Sequence, residues 1–165
     1  MSQHPKRADL ESLLVALCEA EVEFIVVGGA AAVLHGAPIT TLDVDIVHQR
    51  TPDNIARLVA LLDDLDAFFR PVLSGRYIRP TPEHLTGEGH VNLTTRLGPL
   101  DHLCLMDGRS YEDLLPHTDE VNDGTLTLRV LDLPTLIETK RQTGRAKDQL
   151  ALPILMALME ERDRT

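Results

Sequence analysis

Apolar positions along the chain follow two rhythms. Residues 9–20 set Leu10, Leu13, Leu14, Leu17 and Cys18 at i, i+3, i+4, i+7 and i+8, one stripe of a helix. Ile55, Leu58, Val59, Leu62 and Leu65 repeat that spacing after Thr51-Pro52-Asp53, which offers an N-cap and a proline at the first helical position. Residues 23–27 (Glu-Phe-Ile-Val-Val) are largely apolar and β-branched and predict a buried strand. Residues 43–48 (Asp-Val-Asp-Ile-Val-His) alternate with period two and predict a second strand. Between them Gly28-Gly29 breaks the first strand, and residues 30–35 suit a short helix closed by Gly36.

The second half is more broken. Residues 70–89 are loop-rich, with a short strand expected at Arg76–Arg79. Residues 90–96 and 100–106 predict two strands joined by a turn at Gly98-Pro99, and residues 125–131 another strand. Pro134 opens a helix to about Thr143, Gly144 interrupts it, and a last helix covers about Ala146 to Arg162. Pro153 should kink or break that helix. The order predicts an α+β (mixed α/β) fold with a mostly antiparallel sheet, not a doubly wound parallel one.

At 165 residues the expectation is one domain, with a core at about 20–131 and a C-terminal helical segment at about 132–163. Aromatics are only 3% of the chain, so Leu, Val, Ile and Ala must build the core. With 26 acidic and 16 basic residues, the net charge of −10 suits a generic nucleic-acid binder poorly. Cys18 and Cys104 lie apart in apolar segments and predict buried free thiols. No segment has the length of a membrane span, and residues 1–13 show no apolar signal region; a cytoplasmic location is expected. No His-x-x-x-His, Gly-x-Gly-x-x-Gly, Gly-x-Ser-x-Gly or Walker lysine loop is present, so zinc, dinucleotide, hydrolase and P-loop readings lack a motif.

The chemistry concentrates between Gly28 and Asp45. A strand ending in two glycines lets the backbone turn sharply and lets an anion approach the main chain. Fourteen residues after Gly29, Asp43 and Asp45 share one face of a strand, their Cα atoms about 6.6 Å apart. Two acids side by side on an apolar strand are costly without a cation or solvent, and their spacing suits a pair of divalent ions. Blander readings stand beside this one: a plain turn at the glycines, surface acids on an edge strand, an Asp101 that merely follows a turn, Lys140 and Asp148 as solvated helix residues, and His35 as a packing residue.

These residues resemble the DNA polymerase β-like nucleotidyltransferase superfamily. Ile25-Val26-Val27-Gly28-Gly29 and Leu42-Asp43-Val44-Asp45-Ile46-Val47 match its glycine turn and Asp-x-Asp, and Asp101 in Gly98-Pro99-Leu100-Asp101-His102-Leu103 matches its third carboxylate. Ala32-Val33-Leu34-His35-Gly36, Thr41-x-Asp, and Lys140 with Gly144-Arg145-Ala146-Lys147-Asp148 resemble the small stand-alone members. Those members include minimal nucleotidyltransferases and toxins of abortive-infection toxin–antitoxin pairs. The resemblance implies a nucleotidyltransferase fold. It implies catalysis and Mg²⁺ (or Mn²⁺) binding by Asp43, Asp45 and Asp101. Gly28, Gly29, Thr41 and Lys140 would bind a nucleoside triphosphate such as ATP, and Asp148 is an alternative third carboxylate. The acceptor (RNA, protein or small molecule) stays open, a cognate antitoxin is an implied partner, and a non-catalytic binding module of the same fold is the competing class. Ile39 stands where many relatives carry Arg.

Overall fold

The computed structural model describes residues 3–164. Helix α1 (Leu10–Glu19) starts at Asp9, whose carboxylate accepts from the Ser12 N–H. It is followed by β1 (Phe24–Val27), α2 (Gly28–Leu34), β2 (Val44–His48) and α3 (Pro52–Asp64), the last capped by Thr51 as expected. Then come β3 (Phe68–Phe69), α4 (Pro82–Thr86), β4 (His90–Thr95), β5 (Gly98–Leu103), α5 (Tyr111–Leu114), β6 (Thr118–Asp123), β7 (Leu126–Leu131), α6 (Leu133–Thr143) and α7 (Ala146–Asp163).

The strands form one sheet in the order β3-β4-β5-β2-β1-β7-β6. Only β1–β7 and β2–β5 run parallel; the other four neighbour pairs run antiparallel. The expected mixed, mostly antiparallel sheet is therefore the observed one. The central strands carry the buried aliphatics: Ile25, Val26, Val44, Ile46, Val47 and Leu100 are at most 0% exposed and join Leu13, Leu17, Leu58 and Leu62 in the main core. A second, smaller cluster ties α2 to the C-terminal helices through Ala32, Leu133, Ile137, Leu152 and Leu155.

Several local expectations need correction. The β4–β5 turn is Arg96-Leu97, and Gly98-Pro99 belongs to β5, where Pro99 pairs with Thr94. Pro99 is tolerated because β2 begins pairing only at Leu100, so its missing N–H costs no ladder bond there. Gly98 has a φ of +102°, and a Cβ on it would stand 2.6 Å from the Ala8 backbone, so the glycine serves the crossing of the N-terminal segment. No strand forms at Arg76–Arg79; Leu73 and Arg76 make an isolated bridge instead. Helix α7 runs through Pro153 without a break. Gly144 ends α6 in the left-handed region, with a φ of +67°. Cys104 is buried and Cys18 half-buried, and both are free.

Candidate active site

The register of three strands assembles the acids. Across the antiparallel β1–β2 pair Val27 faces Asp45, and across the parallel β2–β5 pair Asp45 faces Asp101. Asp43 lies one residue before β2. The alternation of a strand then turns Ile46 and His48 to the opposite side of the sheet, where His48 Nε2–H donates to the Leu85 carbonyl of α4 at 2.7 Å. The result is that Asp43, Asp45 and Asp101 bring ligand oxygens within 4.8 Å of one another. The turn expected at Gly98-Pro99 was misplaced, yet Asp101 is on the strand beside Asp45.

Their environment is short of cations. Burial, with the charges of Asp101 and Asp43 adding to it, pushes the Asp45 carboxyl up to about 7. Burial also raises Asp101; Arg70 opposes that and Asp43 adds to it. Asp45 Oδ1 is buried with no hydrogen-bond partner among the described residues. Three hard oxygen donors, one of them orphaned, fit Mg²⁺ or Mn²⁺.

The glycines are shaped by these neighbours. Gly28 opens α2 with a φ of +63°, and a Cβ there would stand 2.6 Å from Asp45 Oδ2. At Gly29 a Cβ would meet Thr41 Oγ1 at 2.8 Å. Thr41 Oγ1 in turn donates to the Asp43 carbonyl at 2.9 Å, which fixes the approach to β2. His35 is a packing residue that pairs Nε2 with the Leu131 carbonyl at 2.8 Å.

Sequence reasoning missed Arg70. It follows the two-residue edge strand β3, and its guanidinium reaches the triad. Nη2 donates to Asp101 Oδ2 at 2.9 Å and to Asp43 Oδ2 at 3.3 Å, while Nη1 donates to Asp101 Oδ1 and, at 2.7 Å, to the Leu93 carbonyl. Burial draws the Arg70 pKa down, but the hydrogen bond and charge of Asp101 outweigh it and hold the guanidinium more firmly protonated than usual. An arginine in a loop-rich stretch carries no motif; only the β3–β4 pairing at Phe69 and Leu93 puts it here.

The acids floor a cavity of about 780 Å³, roofed by α6 and α7, that Gly28, Gly29, Thr41 and Lys140 also line. Lys140 and Asp148 are buried, not solvated. Lys140 Nζ donates to Asp148 Oδ1 at 3.0 Å, and Thr143 Oγ1 and Arg145 Nε engage Oδ2 at 2.6 and 3.2 Å. Burial raises the Asp148 pKa, but Thr143 and Lys140 outweigh it and leave it low. The structure thus joins Asp101 to Asp43 and Asp45 and commits Asp148 to a separate ion pair.

No protein-family model and no curated protein matches the chain. Solved structures do. The lincosamide antibiotic adenylyltransferase LnuA, with lincomycin bound, superposes with a TM-score of 0.64 at 13% identity, over 93% of this chain and 99% of that one. The antibiotic-resistance factor ANT(2'')-Ia gives 0.57 at 12% identity, over 91% and 82%. A Thermotoga maritima protein put forward as a nucleotidyltransferase gives 0.55 at 16%, over 90% of each chain. Likeness over nearly whole chains at such low identity is likeness of architecture: the chain has the nucleotidyltransferase fold.

Proposed function

We propose that the protein is a metal-dependent nucleotidyltransferase that moves a nucleoside monophosphate from a triphosphate to an acceptor hydroxyl, releasing pyrophosphate. The observation that carries this reading is the convergence of Asp43, Asp45 and Asp101, with Asp45 Oδ1 buried and unpartnered, at the floor of a cavity large enough for small ligands. These three carboxylates would hold Mg²⁺ or Mn²⁺, which when bound supplies positive charge to the attacking and leaving oxygens.

The chain's own residues do the rest. Gly28 and Gly29 leave a ledge without side chains beside the acids, over which the phosphates would lie. Thr41 holds the main chain of Asp43. Asp101 would orient the acceptor hydroxyl or take its proton, and Lys140, already lining the cavity, would add positive charge at the phosphates. The walls come from the sheet and from α6 and α7 together, which supports reading residues 1–165 as one nucleotidyltransferase-like domain. For the acceptor we favour a small hydroxylated molecule. A net charge of −10 disfavours a polyanion, and the names of two neighbours refer to antibiotics.

The experiment is Mg²⁺-dependent transfer of label from each α-labelled triphosphate to panels of hydroxylated small molecules, RNAs and proteins. Transfer lost in Asp43→Asn with Asp45→Asn supports the reading. A protein that binds neither metal nor triphosphate is instead a non-catalytic module of this fold. Transfer confined to RNA or protein, silenced by an adjacent small partner, would place it with the toxins.

A further inference from the structure

Arg70 and a divalent cation want the same oxygens. The guanidinium lies between Asp43 Oδ2, at 3.3 Å, and Asp101 Oδ2, at 2.9 Å, and takes Asp101 Oδ1 as well. A metal bridging Asp43 and Asp101 would need those lone pairs at about 2.0–2.1 Å, so ion and guanidinium cannot fill that gap together. Asp45 is treated differently. Its Oδ1 has no partner, and Arg70 makes no hydrogen bond to it. One edge of the triad is therefore closed by an internal cation while the other is open.

Arg70 is also built to let go. Its backbone N–H donates to the Asn92 carbonyl at 3.0 Å, which pins its main chain to the edge of β4. Its side chain is 29% exposed, and besides the two carboxylates its guanidinium donates to the Leu93 carbonyl at 2.7 Å. Release then needs a rotation of the side chain, without a shift of the sheet.

We propose that Arg70 is a positioning residue that competes with the divalent cation for Asp43 and Asp101, so that the triad loads in two stages. Metal enters first at Asp45, whose Oδ1 is unpartnered. The Asp101 oxygens and Asp43 Oδ2 become available only when the guanidinium turns out, and an arriving triphosphate supplies both the metal and a competing anion. This rests on the nucleotidyl-transfer reading above.

The test is Mn²⁺ binding to the full chain without nucleotide, read by the electron paramagnetic resonance signal of free Mn²⁺. Arg70→Gln should tighten Mn²⁺ binding about tenfold or more, the share of a close unit charge left after partial solvent screening. Arg70→Lys, which keeps a charge, should stay nearer the wild type. Adding Asp101→Asn to Arg70→Gln should erase the gain, because the freed edge is the one Asp101 provides. In the wild type, ¹⁵N spectra should show the Arg70 Nη–H groups exchanging faster with water once Mg²⁺ and a non-hydrolysable ATP analogue are added, a readout that needs no variant to fold. Unchanged or weaker Mn²⁺ binding in Arg70→Gln, or an Arg70 signal unmoved by loading, overturns the competition. If Asp45→Asn still abolishes Mn²⁺ binding, the nucleotidyl-transfer reading survives that result. If the wild type and Arg70→Gln bind no Mn²⁺ with or without ATP, both fall.

Discussion

Two clusters of buried charge line one cavity, and they are built on opposite principles. On α6 and α7, Asp148 is saturated: Lys140, Thr143 and Arg145 satisfy both of its oxygens, and its proton is held less tightly than in a free carboxylate. Around β2 and β5, one arginine bonds two of three carboxylates, Asp45 keeps its proton up to about 7, and one of its oxygens has no partner. A balanced cluster is a way to fold. An unbalanced one, open to a cavity, costs stability that only a bound cation recovers. The difference separates the helix pair, whose charges lock two elements together before any ligand arrives, from the strand pair, whose charges lack a partner until one does.

The largest effect tests the unbalanced side. Asp45→Asn should reduce nucleotidyl transfer by about a thousandfold or more, since it removes a charge that holds the metal. The same change should make the metal-free protein more stable at pH 8. Asp45 titrates near 7 when folded against 3.8 as a free group, so the fold holds an extra proton between those values. Metal-free stability therefore falls as pH rises through that window, and the asparagine removes the fall. A melting temperature about 2–4 °C above wild type at pH 8, with the two curves drawing together as the pH falls and meeting only near pH 3.8, is the expected result. A drop instead would mean that Asp45 is part of a structural network like that of Asp148.

The balanced side predicts the reverse. Lys140→Met leaves Asp148 Oδ1 without its cation, with Thr143 and Arg145 still on Oδ2, and should cost about 2 kcal/mol in urea denaturation, while Lys140→Met with Asp148→Leu should recover most of it. If the single change costs under about 1 kcal/mol, solvent already screens the pair and the contrast between the clusters weakens.

What the sequence revealed follows the same division. The glycine turn, Asp43 and Asp45 were legible because a strand's period of two and a break of two glycines are local signals. Asp101 was legible only through the resemblance, for its turn was misjudged: Gly98-Pro99 reads as a loop, yet Gly98 is required by the Ala8 backbone packed against it. Arg70 was not legible at all. Its place depends on β3, two residues long and paired at the sheet's far edge, and a strand that short has no periodicity to read. Strand β6 escaped because Thr-Asp-Glu-Val-Asn-Asp is polar on both faces, as an exposed edge strand is. The short helix α4 escaped because His84, in place of the usual Glu or Gln, closes its capping box with Thr81.

A smaller effect probes how the glycine turn serves the unbalanced cluster. Gly28→Ala places a Cβ within 2.6 Å of Asp45 Oδ2 at a φ of +63°. It should lower stability by about 1–2 kcal/mol, and it should displace Asp45 and weaken Mn²⁺ binding as well. Ala at Gly36, also at positive φ but with open space around its Cβ, should cost stability alone. Equal loss of metal affinity in both variants would show that α2 acts through general strain and that Gly28 has no specific bearing on Asp45.

The smallest effect asks whether missing partners suffice to mark a ligand site. His102, one residue beyond Asp101 on β5, points to the other face of the sheet. Both of its ring nitrogens are unpartnered among the described residues, and its ring meets His48 edge to face at 5.6 Å. Burial, with His48 adding, holds its pKa well below 6.5. The folded protein therefore keeps His102 neutral, whereas the unfolded chain protonates it at about 6.5. Below that pH the unfolded state binds the extra proton, so His102 favours folding less as pH falls from about 7 to 5. His102→Leu removes the titration and keeps an apolar side chain in the core. The variant's urea midpoint should therefore decline less than wild type between pH 7 and 5, with nucleotidyl transfer at pH 8 largely unchanged. A parallel decline would show that other groups, the triad included, govern the acid limb. A loss of Mn²⁺ binding would show that the two faces of β5 are coupled, and that the unpartnered histidine belongs to the site as much as the unpartnered aspartate does.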